Sequence, residues 1–187
     1  HHDTVPLASA PPVLQLTCRD RNRLAIQSEL LSAHIMGARS VLCLTGDYIS
    51  LGDHASAKPV FDLDSVQLIQ AVAALNGGHD LMGNALNAPT DYFIGAAVTP
   101  EADPIEPQMM KFVKKVRAGA HFFQTQAIYD LDNFKRFMDQ ARKHQVKVMA
   151  GIVLLVSAGM ARYMNKNVPG IFVPEPLIEE MAAAPKG

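Results

Sequence analysis

Ser40-Val41-Leu42-Cys43-Leu44 runs without a break into Thr45-Gly46-Asp47. A short apolar run closed by a turn signal marks a strand buried on both faces, and such strands belong to parallel sheets covered by helices. Gly46 lets the chain turn sharply or lets its backbone come close to a flat ligand. Asp47 follows at once, so a carboxylate stands at the carboxyl end of a core strand. In α/β folds that end is where ligands bind. A Gly-Asp pair also opens ordinary βα loops, with the Asp capping a neighbouring element. The sequence at this point leaves both readings open.

The rest of the chain repeats the strand–helix unit. Val13-Leu14-Gln15-Leu16-Thr17 reads as a strand, followed by a helix over 23–36 that Gly37 closes. After the strand at 40–44, a loop rich in Gly, Asp, Ser and Pro spans 48–62. The spacing then predicts a helix over 63–75, with Val66, Ile69 and Ala73 on one face. An irregular insertion follows over 76–91, punctuated by Gly77-Gly78 and Gly83-Asn84. The third strand is expected over 92–98 and ends at Thr99-Pro100. Met109, Phe112, Val113 and Val116 fall at i, i+3, i+4 and i+7 in a helix over 107–118, closed by Gly119. A fourth strand over 121–126 leads to a helix over 131–144 through Phe134, Phe137, Met138 and Ala141. A fifth strand covers 146–153. Short helices over 157–165 and 174–181 end the series, the second with a proline in its first turn. Methionines at helical spacing read as core packing.

Alternating strands and helices imply parallel pairing with right-handed crossovers. Two architectures fit, a doubly wound open sheet and a (β/α)8 barrel. No GxGxxG follows the first strand, which counts against a dinucleotide-binding open sheet. A complete barrel takes ~250 residues and eight strands. These 187 residues supply five strands, so a barrel here is an incomplete one. The expected organisation is an irregular segment over 1–12 and a partial TIM-barrel domain over 13–187. An open barrel leaves unpaired strand edges, which invite association with a partner or a second copy.

Composition narrows the classes further. Hydrophobic residues make up 49% and charged residues 19%, which suits a soluble domain with a sizeable core. A net charge of −1 gives no broad basic surface for nucleic acid or anionic lipid. No apolar run reaches the ~20 residues that span a bilayer, and the N-terminal residues do not form a secretory signal. Cys18 and Cys43 lie in or beside core strands without a CxxC pattern. They read as buried free thiols, with no metal site and a cytoplasmic compartment.

Four strand ends carry a resemblance when taken in order: Gln15-Leu16-Thr17-Cys18; Leu44-Thr45-Gly46-Asp47; Gly95-Ala96-Ala97-Val98-Thr99-Pro100; and Lys114-Lys115-Val116-Arg117-Ala118-Gly119-Ala120 running on to Thr125-Gln126. The set resembles methylenetetrahydrofolate reductase, a flavin-dependent (β/α)8-barrel family of one-carbon metabolism. The stretch Leu16–Asn22, Gly52-Asp53-His54, Asp62-Leu63-Asp64-Ser65 and Ser157–Arg162 are similar to the branch found in anaerobic and acetogenic bacteria. The likeness covers Pro12 to Met181. Against the family pattern, this chain has no counterpart of the first strand, whose Glu-Phe-Phe-Pro-Pro segment carries the proposed general acid, and none of the last strand and its helix. Gln15 stands where many members have a histidine, and Thr45 where an arginine precedes Gly-Asp.

The resemblance implies an oxidoreductase reducing 5,10-methylenetetrahydrofolate to 5-methyltetrahydrofolate, a step that feeds methionine biosynthesis and the acetyl-CoA pathway. The alternative is a non-catalytic flavin- or folate-binding chain, or a structural subunit of a larger redox assembly, because the acidic first strand is missing. FAD is the implied cofactor, with FMN as the other option, and electrons come from NAD(P)H or from a partner protein. The acetogen branch implies a partner subunit with iron–sulfur clusters and zinc, in a homo- or hetero-oligomer. By position, Gln15, Thr17, Leu44, Thr45, Gly46, Asp47, Ala97, Thr99 and Lys115 would contact the flavin, Lys115 on its phosphate side. Asp47 is the expected catalytic residue, its charge stabilising a cationic iminium form of the folate. Asp47 and Gln126 would bind the folate, the Gln126 amide supplying the donor and acceptor that a pterin edge requires. His54 lies in a loop on Asp47's side of its strand. His34 and His144 read as surface or packing residues, and His121 belongs to the non-catalytic end.

Overall fold

The computed structural model describes residues 12–168 and 170–184. The segment read as irregular therefore lies outside the described residues except for Pro12. The chain forms two compact units. One comprises the residues up to Ala96 together with Arg117–His121; the other comprises Ala97–Val116 and the residues from Phe122 onward.

The first unit contains β1 (Val13–Thr17), α1 (Arg23–Ile35), β2 (Ser40–Leu44), α2 (Ser65–Asn76) and the start of β3 (Phe93–Val98). β1 pairs in parallel with β2, and β2 with β3. The register sets Gln15, Leu42 and Gly95 side by side and Thr17 beside Leu44. Successive side chains alternate between faces, so Leu16, Cys43 and Ala96 occupy the opposite face, where all three are buried. The remaining core comes from Ile26 and Leu30 of α1 and from Leu68, Ile69, Val72 and Leu75 of α2. Each such side chain contributes about 1.5–3 kcal/mol through removal from water.

Local signals fix where these helices begin. Asn22 caps α1, its side chain accepting from the Ala25 N–H at 3.0 Å. α2 starts at Ser65, two residues later than the periodicity predicts, because Asp64 and Gln67 form a reciprocal capping box. The buried stripe of α2 is also turned from the expected Val66–Ile69–Ala73 face to Leu68, Ile69, Val72 and Leu75. Arg23 grips Asp62 through Nε and Nη2 at 2.8 and 2.9 Å. Together with the Arg23 N–H, that guanidinium holds the Asp62 carboxyl down at about 2. Asn76 closes the insertion over 77–92, accepting from Thr90 Oγ1 and the Tyr92 N–H and donating to the Tyr92 carbonyl. Cys18 and Cys43 are both buried, as expected. Burial first, then the charges of Asp64 and Asp62, push the Cys18 thiol up to about 11, which leaves it inert at neutral pH.

The second unit contains α3 (Glu106–Ala118) as far as Val116, β4 (Phe122–Ala127), α4 (Leu131–Ala141), β5 (Lys147–Gly151), α5 (Ala158–Asn167) and α6 (Glu175–Ala183). β4 and β5 pair in parallel. Phe112 of α3, Phe123 of β4 and Phe137 of α4 meet as an aromatic cluster, with ring centroids 4.5 and 5.5 Å from Phe112. His144 packs edge-on to Phe112, the packing role expected of it. Ala161, Val173 and Ile178 form a smaller core between α5 and α6. β5 is shorter than the apolar run suggests. It ends at Gly151, and Ile152 and Leu154 beyond it are 83% and 82% exposed. The methionines divide likewise: Met164 is buried, Met109 and Met138 are half-buried, and Met110 is exposed.

The architecture is α/β, with five parallel strands separated by helices. This is the βα repeat of an incomplete (β/α)8 barrel.

Candidate functional site

In the first unit the expected site residues gather at the carboxyl ends of β1 and β2. Gln15, Thr17 and Leu44 share one face by register. Gly46, just past β2, has φ +95. A Cβ there would stand 2.9 Å from the Cβ of Arg19 and 3.2 Å from the Cβ of Thr17. The missing side chain is thus required by the close approach of β1's end to the turn after β2. Thr45 is occupied within the fold, its hydroxyl accepting from the Ser65 N–H at 3.1 Å, which ties α2 to the end of β2.

Asp47 is exposed beyond this turn. It caps neither element that follows it: α2 is capped by Asp64, and the 3-10 turn Ile49–Leu51 begins without a side-chain cap. The charged neighbour that sequence reasoning missed is Arg19. Its guanidinium makes a two-pronged contact with Asp20 at 2.8 and 2.9 Å. The Asp20 bond, with a smaller contribution from the charge of Asp47, raises the Arg19 pKa.

In the second unit the expected residues are Ala97, Thr99, Lys115 and Gln126. Lys115 reaches back to β3, its Nζ donating to the Ala97 carbonyl at 2.7 Å. Gln126 is exposed and sits on a break in the β4–β5 ladder. Gln124 is paired with Met149, but Ala127 with Gly151, so β4 carries one extra residue between them. Such bulges re-aim a side chain and gather beside active sites. This one is fastened by Thr125, whose buried hydroxyl accepts from the Gly151 N–H at 2.8 Å and donates to the Gln126 carbonyl at 2.7 Å. A Cβ on Gly151 would lie 2.7 and 2.8 Å from the carbonyl oxygens of Thr125 and Gln126. Gly170, at φ +81, approaches the same residues from another segment. A Cβ there would lie 3.1 Å from Thr99 Cγ2 and 3.7 Å from Gln126 Cγ.

His121 and His34 take structural places. His121 accepts from the Ile94 N–H through Nδ1 at 3.0 Å and donates its own N–H to the Ile94 carbonyl, holding the amino end of β3. His34 bonds Asp91 at 2.7 Å. Among the described residues no group of three or more His, Cys, Asp or Glu side chains is placed to hold a metal ion, and no helix is long and apolar enough to cross a membrane.

Parallel βα units, β1–β3 and β4–β5, are those of the (β/α)8-barrel class. The family description for methylenetetrahydrofolate reductase matches residues 7–186. The chain belongs to that family. It is 28% identical over 191 aligned positions to methylenetetrahydrofolate reductase 2 of Schizosaccharomyces pombe, covering 93% of this chain and 28% of the yeast protein. It is 30% identical to methylenetetrahydrofolate reductase 1 of the same yeast, over 72% of this chain and 21% of that protein. A Caenorhabditis elegans protein named "Probable methylenetetrahydrofolate reductase (NADPH)" is 28% identical over 70% of this chain and 18% of its own length. The chain therefore spans between about a fifth and just over a quarter of these relatives. A solved structure from Burkholderia cenocepacia J2315, described as a lyase/mutase, aligns over 94% of this chain and 70% of its own, with a TM-score of 0.46 and 16% identity.

Proposed function

We propose that this chain carries flavin- and folate-binding residues of an enzyme that reduces 5,10-methylenetetrahydrofolate to 5-methyltetrahydrofolate. The observation that carries the reading is Asp47: a carboxylate just past the end of a core strand, exposed and capping neither of the helical elements that follow it. A carboxyl group left in that position is available to a ligand.

The residues around it suit a flat, polar-edged cofactor. Gln15 and Thr17 offer hydrogen-bonding groups beside Leu44 on one face, and Gly95 in register with Gln15 adds no bulk. Bound flavin, as FAD or FMN, would supply the hydride. Gln15 and Thr17 would hold its polar edge, while Leu44 would exclude water from the ring. Asp47 would stabilise positive charge as it develops on the folate. Gln126 would read the pterin edge with one donor and one acceptor, from an orientation set by the bulge. NAD(P)H or a partner protein would provide the electrons. The acetogen-like branch, an iron–sulfur and zinc partner, oligomeric assembly and a cytoplasmic location belong to the same proposal.

The test is direct. The intact protein should purify with the visible absorbance of bound flavin and convert methylenetetrahydrofolate to methyltetrahydrofolate when supplied with reductant. A protein that retains no flavin and turns over no folate would end this reading. Gly46→Val should remove most of the flavin, because a branched side chain at φ +95 must displace Thr17 and Arg19. Flavin content per polypeptide, measured beside the wild type, checks it; an unchanged ratio takes Gly46 out of the site.

A further inference from the structure

Glu101 lies in the loop between β3 and α3, flanked by Pro100 and Ala102. Its side chain gathers backbone groups from two distant segments. Oε1 accepts from the N–H groups of Tyr129 and Asp130 at 2.8 and 2.7 Å. Oε2 accepts from the N–H of Phe172 at 3.4 Å. The first pair lies two and three residues beyond the end of β4, on the segment that follows Gln126 and Ala127. The second belongs to the turn that begins at Gly170, which rests against Thr99 and Gln126.

An ordinary duty as a helix cap does not account for this arrangement. The first turn of α4 is already capped by Asp130, whose side chain accepts from the Asp132 and Asn133 N–H groups at 2.9 Å each. Glu101 serves instead the two N–H groups just upstream, and at the same time a segment 71 residues away. Its charge reaches the neighbouring phenol: burial first, and then Glu101, raise the pKa of Tyr129.

We propose that Glu101 is a positioning residue for folate binding, clasping the segment after β4 to the Gly170–Phe172 turn so that Gln126 is held between them in one orientation. This rests on the reading of Gln126 as a folate contact. Gln126 is fastened on its backbone side by Thr125 and Gly151. Its side-chain carbons have Gly170 on one flank. Without the Glu101 clasp that flank is free to move, and a long amide side chain loses its fixed direction.

The experiment compares Glu101→Gln with the wild type in the intact protein, using methylenetetrahydrofolate as the probe. The amide oxygen of Gln still accepts from Tyr129 and Asp130. Its NH2 group, however, meets the Phe172 N–H donor to donor, so the variant releases the Gly170–Phe172 turn selectively. The folate KM should rise about tenfold, the effect of losing a hydrogen bond to a charged acceptor. kcat and the rate of flavin reduction should stay within about twofold, and Tm should fall by roughly 3–6 °C, since the same bond is lost from the fold. Combined with Gln126→Ala, which itself raises KM, Glu101→Gln should add little, since both act through one side chain. Faster hydrogen exchange confined to the segment over 170–173 would accompany these changes. A wild-type KM in Glu101→Gln overturns the assignment. So does an equal loss in both half-reactions, or a KM effect that multiplies with that of Gln126→Ala. A wild-type protein without folate turnover overturns the functional reading, and this one with it.

Discussion

Asp47→Asn is expected to slow folate reduction about a hundredfold while leaving flavin reduction unchanged or easier. The substitution keeps size and hydrogen-bonding capacity and removes only the charge. A cationic folate intermediate gains from a fixed carboxylate, and the loss of one preorganised electrostatic contact costs ~3 kcal/mol in the transition state. The same negative charge disfavours adding electrons to a neighbouring flavin, so its removal does not hinder that half-reaction. Because Asp47 caps neither α2 nor the 3-10 turn after it, the folded state has little to lose. Stability should stay within about 0.5 kcal/mol of wild type. Stopped-flow measurement of the two half-reactions separates the outcomes. A folate half-reaction at wild-type speed would show that Asp47 does no chemistry.

What could be read from the sequence followed from how local each cause is. The strands were legible because unbroken apolar runs such as Val41-Leu42-Cys43-Leu44 admit few other structures, and their bounds agree to within one residue except at the end of β5, which stops two residues early. The stripe of α2 was misplaced because Leu68, Ile69, Ala71, Val72 and Leu75 are all apolar; a helix buried on most of its circumference gives a weak directional signal. Asp47 and Gln126 stood out as polar residues ending core strands. What surrounds them did not. Glu101 reads as an ordinary loop acid, since its donors lie 28, 29 and 71 residues away. Arg19 was visible only as part of a motif, and its nearness to Asp47 depends on the β1–β2 register. Lys115 by itself reads as solvated helix surface, and only the resemblance makes it a contact on the flavin's phosphate side. In the fold it is half-buried three residues from Phe112, and its ammonium meets the Ala97 carbonyl.

The bulge under Gln126 belongs to the same class of tertiary causes, and it yields the largest expected effect on stability. Gly151→Ala places a methyl group 2.7 Å from the Thr125 carbonyl oxygen, 2.8 Å from that of Gln126 and 3.1 Å from the Gln126 carbonyl carbon. All three are backbone atoms of β4, so no side chain can swing aside to make room. Either β5 moves away from β4, breaking the Gly151–Thr125 and Ile128–Gly151 hydrogen bonds, or the bulge is lost and Gln126 turns with it. Overpacking of this kind costs about 3 kcal/mol, which for a chain of this size lowers Tm by roughly 6–12 °C. The folate KM should rise as well, because both relaxations move the residue on which Gln126 is mounted, whereas flavin content should fall less. Thr125→Val tests the same fastening without adding bulk: it removes the hydroxyl that bonds Gly151 and Gln126 and should move KM and Tm in the same directions. A Gly151→Ala protein with the wild-type Tm would mean that β4 and β5 do not approach this closely, and the bulge would lose its claim to aim Gln126.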